Sequence, residues 1–372
     1  MKIHVVKKSE SMQDIAARHS LAPVELMAEN ALSSTRLCPG QCLFIPEELL
    51  QSRGSMELCA FFSHSPGLDS LCRSLPSYTY TGLWTHSFSP EGKLITPGAE
   101  FPHSFTRDFG CAPLLCLANL NPGGGFSPSL AHGLFTDKET KSCLINELIQ
   151  KLEAGHYYGL HLSFNYLFPF DADNYSTFAA QMAEILHKAG FILSIELAPK
   201  DNTALSSGQD YVALSEAADR LSLMFCRWAH PFSPPQAMAP TAPLRRALED
   251  AISFIPPQKL WLGISCKGYD WKLPWRQGDK AQPISNSRAI ELAAAMGADI
   301  KRDASSNAPY FLYRDAEQKR HIVFFEDLLS LGDKLQLVEE FGLCGLSLYS
   351  AQFASAPVLR LLTDSRSGEK LL

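Results

Sequence analysis

Between His156 and Leu167, the polar residues His161, Ser163 and Asn165 alternate with Leu160, Leu162 and Phe164. This spacing predicts a buried strand, following a helix that ends near Gly155, with the polar side chains on one face and the apolar ones on the other. An imidazole, a hydroxyl and an amide can bind and orient a polar ligand, but none is a carboxylate. His161 titrates near neutrality when free. It is nevertheless expected to be a hydrogen-bonded core histidine, because Ser163 and His161 have no identifiable orienting acid or oxyanion hole to make a hydrolase dyad. Glu196 lies in the apolar run Ser194–Pro199, where an acid is costly unless it is paired or faces a polar mouth. A structural ion pair with Arg227 is expected there ahead of catalysis, and Asp171 and Asp173 are expected to be solvated loop carboxylates.

Eight strand-like runs surround these residues: Glu57–Phe62, Tyr80–Trp84, Pro113–Asn119, Tyr158–Leu167, Phe191–Ala198, Arg220–Trp228, Lys259–Cys266 and Cys344–Ser350. Helical patterns such as Asp137–Glu153, Tyr175–Ala189 and Leu244–Phe254 fall between them, which predicts an α/β fold closing as a (β/α)8 TIM barrel. Chemistry in that fold sits at the C-terminal strand ends. The span 269–327 does not fit one helix. It carries a helix through Ser287–Met296 and strands near Tyr310–Tyr313 and His321–Phe325, so a small α+β insertion after the seventh strand is expected. The glycines that follow Asn119, through Gly125, predict a flexible loop rather than a nucleotide cradle.

The 372 residues are 46% hydrophobic, enough for one large domain and a small one. A formal charge of −6 gives no general attraction to nucleic acid or to anionic membranes. No apolar run suits a secretory leader or a membrane span, so synthesis in the cytoplasm without a signal peptide is expected. The ten cysteines read as reduced core thiols, and Cys38 with Cys42 lacks the second pair that a zinc site needs. No metal or cofactor is expected.

Residues 1–47 read as strand, helix, helix, strand. Ser11 to Asp14 has capping-box spacing, and Pro23 suits the first turn of the second helix. Val5-Val6-Lys7, the Ser9–Met12 turn, Ile15-Ala16, Asn30 and Gly40-Gln41 through Ile45-Pro46 resemble a LysM module over nearly its full length. The resemblance implies binding of the N-acetylglucosamine backbone of peptidoglycan or chitin, with Ser9, Ser11, Met12, Asn30, Ala31 and Leu32 at the groove. A polar linker over 48–55 then precedes the barrel, at 56–372.

The strand around His161 resembles the catalytic strand of family 18 glycoside hydrolases, and Gly268-Tyr269-Asp270-Trp271, His321–Asp327 and Gly342–Ser347 resemble that family's spore-germination type, which includes spore-cortex N-acetylglucosaminidases. In such enzymes the acetamido oxygen of the substrate attacks the anomeric carbon, so the usual pairing of an acid with an enzyme nucleophile does not apply. A Glu protonates the leaving oxygen, and an Asp two residues earlier supports the acetamido group. Here Tyr158, His161, Ser163 and Asn165 occupy the polar and acidic places, Cys226 and Arg227 replace a Tyr-Asp pair, and Tyr349 replaces a Trp. The resemblance therefore implies a glycan-binding barrel that has lost hydrolysis, a pseudoenzyme, in the spore coat or cortex. Trp84, Asn119, Cys226, Arg227, Trp228, Asp270, Trp271, Trp275 and Tyr349 would line its cleft, with spore coat proteins as further partners. Two rival expectations remain: an active cortex N-acetylglucosaminidase with a displaced acid, for which Glu196 is the candidate, and a purely structural coat protein.

Overall fold

The computed structural model describes all residues except 1, 47–54, 64–66, 97–102, 201–205, 207, 226–227, 365–366, 369–370 and 372. The expected linker therefore lies outside the described residues apart from Ser55.

At the N-terminus, β1 (Lys2–Val5) pairs antiparallel with β2 (Cys42–Ile45), and helices Met12–Arg18 and Pro23–Glu29 pack against the pair. Ser11 accepts from the Asp14 amide while the Asp14 carboxylate accepts from the Ser11 amide, the reciprocal cap that the sequence predicts. Met12, Ile15, Leu26, Leu43 and Ile45 form its own small core.

The barrel strands are β3 (Ser55–Phe62), β4 (Tyr80–Phe88), β6 (Ala112–Ala118), β7 (Gly159–Ser163), β8 (Ile192–Leu197), β9 (Arg220–Met224), β10 (Leu260–Ser265) and β16 (Gly345–Tyr349). They pair in parallel in that order, and β16 returns to β3, closing the ring. The short β5 (Leu94–Ile95) pairs antiparallel with β4, and β17 (Ser367–Gly368) runs along β3. Alternation sorts the side chains: Leu160, Leu162, Leu193, Ile195 and Leu197 join the shell packed under the helices, while Cys59, Phe61, Cys116, Met224, Trp261 and Tyr349 fill the interior. At the floor, Glu57 is buried and accepts from the Arg220 guanidinium and from Trp261 Nε1 at 2.6 Å.

The insertion after β10 is a five-stranded antiparallel sheet of β11 (Lys267–Leu273), β12 (Gln282–Ser285), β13 (Lys301–Arg302), β14 (Pro309–Arg314) and β15 (Arg320–Phe324), covered by the helix Asn286–Met296. Two expected strands prove shorter. The run Tyr158–Leu167 leaves the ladder after Ser163, because the Asn165 amide and carbonyl bond the Asn119 side chain rather than a neighbouring strand. The run Arg220–Trp228 ends at Met224.

The N-terminal module is docked on the barrel. The Ile300 amide donates to the Pro39 carbonyl at 2.8 Å, and the Cys42 thiol donates to Asp327 Oδ2 at 3.1 Å. Arg302 also binds Asp327, and Arg360 pairs with Glu29. Asp327 caps the helix Leu328–Glu340. Barrel helices run opposite to the strands they follow, so its first turn lies toward the C-terminal face of the barrel, and the module sits on that side. Burial pushes the Cys38 thiol up to about 12 and the Cys42 thiol higher still, so both are protonated at neutral pH.

Candidate active site

At the C-terminal ends of β7 and β8, Asn165 Nδ2 donates to Glu196 Oε1 at 2.7 Å and lies 3.3 Å from Ser163 Oγ. All three residues are fully buried. Asn165, two residues past the end of β7, and Glu196, on the inner face of β8, are thus side by side across adjacent strand ends.

Two amides hold this pair in place. Asn119 donates to the carbonyls of Ser127 and Asn165 at 3.0 and 3.1 Å, and its Oδ1 accepts from the Asn165 amide. Gln209 accepts from the Ala198 amide at 2.9 Å and donates to the Phe164 carbonyl at 3.0 Å. Together they staple the strand ends that carry Asn165 and Glu196. Asn119 is among the residues the sequence places in the cleft. Gln209 is missed, since in sequence it is a loop residue after Gly208 and only the closing of the ring brings it to two strand ends.

Deeper in the barrel, His161 Nδ1 lies 2.8 Å from Ser194 Oγ, not on Ser163, and its ring packs on Phe61 with centroids 4.3 Å apart. Burial lowers its pKa to about 3, so the imidazole is neutral, in agreement with the expectation of a core histidine. Tyr349 packs on the same Phe61, and its hydroxyl lies 3.0 Å from Ser222 Oγ, which contacts Ser347 Oγ at 2.6 Å. Tyr158 is half-buried at the floor, edge-on to Tyr80, and so lies away from the mouth.

Trp271 is fully buried and donates to the Ser233 carbonyl at 2.8 Å. Trp228 is half-buried and stacked on Phe225, and Trp275 is partly buried against the same cluster as Trp271. Asp270 accepts from the Tyr313 hydroxyl at 2.6 Å and contacts His321 Nδ1 at 2.8 Å, within the insertion. The Trp84 side chain and residues Cys226 and Arg227 lie outside the described residues, so the expected Glu196–Arg227 pair falls there too. Asp171 is a correction. It is fully buried rather than solvated, because the preceding turn folds it inward to His132 Nδ1 at 2.9 Å and Asn174 Nδ2 at 3.0 Å. In the N-terminal module, Ser9, Ser11 and Ala31 are exposed, Leu32 is half-buried and Met12 is core. Asn30 is buried, bridging the Leu26 carbonyl and the backbone of Phe44.

Residues 120–354 match the glycosyl hydrolases of family 18. The chain belongs to glycosyl hydrolase family 18. Residues 4–46 of this family 18 chain match the LysM domain. A cortical fragment-lytic enzyme of Bacillus subtilis (strain 168) is 32% identical over 295 residues, covering 78% of this chain and 68% of the relative. The crystal structure of the Bacillus cereus spore cortex-lytic enzyme SleL superposes with a TM-score of 0.81 at 27% identity, covering 100% of this chain and 88% of that one. SleL of Bacillus megaterium QM B1551 gives 0.82 at 26% identity, covering 100% and 87%.

These similarities overturn the expectation of a non-enzyme: the family is one of hydrolases, and the relatives are named as lytic enzymes. That expectation rested on the residues that stand in the family's acidic and aromatic places on several strands; in the structure Glu196, the candidate for a displaced acid, meets Asn165 across adjacent strands. No helix among the described residues is long and apolar enough to cross a membrane.

Proposed function

We propose that the chain hydrolyses the N-acetylglucosamine-containing glycan of spore-cortex peptidoglycan, with Glu196 as proton donor in place of an acid at Asn165. The observation that carries this reading is the 2.7 Å contact between Asn165 Nδ2 and Glu196 Oε1, which puts a carboxylate beside the place where the resemblance locates the family's acid. The substrate's acetamido oxygen attacks the anomeric carbon as the glycosidic C–O bond breaks, and the Glu196 proton goes to the departing oxygen. The resulting cyclic intermediate is opened by water, whose proton returns to the Glu196 carboxylate.

Asn165 takes the supporting role. Its Oδ1 is buried and has no partner among the described residues, so it can accept from the acetamido N–H while Nδ2 holds Glu196. The LysM module retains the chain on the same polymer, and the spore cortex, for which the relatives are named, is the proposed place of action.

The test is to incubate the full-length protein and its Glu196→Gln variant with cortex peptidoglycan and chitooligosaccharides, recording released sugars by mass spectrometry and folding by circular dichroism. The expected outcome is release by the parent and a loss of about 10²–10⁴ in rate for the folded variant. Equal rates would remove Glu196 from the chemistry. Binding without release by the parent would refute hydrolysis itself.

A further inference from the structure

The parallel ladder between β7 and β8 runs from Gly159 opposite Ile192 to Leu162 opposite Ile195 and stops there. Glu196 and Leu197 stay paired on the other side, opposite Ser222 and Leu223 of β9, while the chain leaves β7 after Ser163. Past Ile195, β8 therefore keeps one neighbour and parts from the other. Asn165 and Glu196 meet across this opening, where the ladder no longer fixes their separation. Strand ends that splay apart leave amides and carbonyls that must find other partners.

One buried side chain spans the opening. Gln209 Oε1 accepts from the Ala198 amide at 2.9 Å, and its Nε2 donates to the Phe164 carbonyl at 3.0 Å and lies 3.4 Å from the Glu196 carbonyl oxygen. A side-chain amide carries the donor and the acceptor of a peptide group, so it stands as a rung where the backbone rungs have ended. The segment that carries it is held just as closely. Gly208 has a φ of 72°, and a Cβ there would stand 2.7 Å from Leu167 Cβ and 2.9 Å from the Phe168 carbonyl oxygen, so only glycine lets the segment lie this near the turn after β7. The Tyr211 hydroxyl donates to the Ala198 carbonyl, and Asp210 caps the helix Tyr211–Ala217. The segment 208–211 thus braces the ends of both strands.

We infer that Gln209 is a positioning residue: it sets the separation of β7 and β8 at the mouth, and so keeps the Glu196 carboxylate within hydrogen-bond reach of Asn165. Its own bonds go to backbone groups, not to the carboxylate or the Asn165 amide side chain. Asn119, just beyond β6, holds Asn165 from the other side, so the two amides control different gaps. Displacing a catalytic group by about 1 Å costs on the order of a hundredfold in rate. The effect on turnover rests on the function proposed above, but the positioning itself is read without turnover.

The experiment uses the full-length protein and its Gln209→Met and Gln209→Ala variants, with crystal structures and with kcat and KM on chitohexaose. Methionine keeps the length and bulk of the side chain and removes both hydrogen-bonding groups, whereas alanine removes the bulk as well. In the methionine variant the Asn165 Nδ2–Glu196 Oε1 contact is expected to open from 2.7 Å to beyond hydrogen-bond reach, and kcat to fall about a hundredfold with KM unchanged. A packing role predicts the opposite, methionine restoring what alanine loses. A methionine variant with the parent's kcat, a loss carried by KM, or an unchanged contact would overturn the inference. Gln209→Glu, which keeps the bond to Ala198 and loses the donor to Phe164, gives the same readouts if the methionine variant does not fold. Should the parent release no sugar, hydrolysis falls and the crystal structures decide: a contact broken in the variant keeps Gln209 as the positioning residue of the pair, and a contact retained removes it.

Discussion

Replacing His161 with Asn should flatten the acid limb of the stability profile. In the unfolded chain the imidazole takes up a proton as pH falls through about 6.5. In the folded barrel, burial holds its pKa near 3. Between these values the unfolded state binds more protons, so stability is lost as pH falls through 6.5 toward 3 and is fully present above that window. At pH 5 the folded ring is still neutral, so the difference from pH 7 is set by the unfolded chain: nearly one and a half pH units of linkage, or about 2 kcal/mol. Asparagine does not titrate. Urea unfolding of the parent and of His161→Asn at pH 7 and pH 5 isolates the contribution as a difference of differences, from which other groups cancel. The parent should lose about 2 kcal/mol more than the variant on acidification. Equal losses would refute a His161 held neutral by burial, whatever the absolute stability of the variant.

Asn119→Ala would leave the buried Asn165 amide and carbonyl and the Ser127 carbonyl without their side-chain partner. A loss on the order of 3 kcal/mol is expected in urea unfolding, together with weakened turnover because Asn165 is no longer fixed. Gly40 has a φ of 84°, and a Cβ there would stand 1.9 Å from the Ile300 carbonyl oxygen. Gly40→Val is therefore expected to lift the LysM module off the barrel, read as an increased radius of gyration in small-angle scattering with the barrel's circular dichroism unchanged.

The eight barrel strands were legible because each is a short apolar run set off by polar turns, and the insertion because its pattern breaks the alternation of strand and helix. The LysM resemblance was equally readable, down to the Ser11–Asp14 cap. Periodicity also placed His161, Ser163 and Asn165 on one face. It could not reveal that Glu196, thirty-one positions later, contacts Asn165, because that pairing depends on parallel register between β7 and β8. The same limit hid Gln209 and the burial of Asp171. Trp271 was read as a cleft residue because aromatic type alone does not separate an open ring from one whose indole N–H is already satisfied in a core.

The docking of the LysM module has a consequence for how such chains can be recombined. A module held by a flexible tether can be exchanged, duplicated or deleted with little effect on its neighbour. Here the exchange would have to carry Gly40 and Cys42 with it, since Ile300 leaves no room for a side chain and Asp327 would lose the thiol that Cys42 donates to it. Pro39–Cys42 and Ile300–Asp327 are therefore expected to vary together between related chains, and a graft that ignores this pairing would expose Phe44, which belongs to the barrel's own shell.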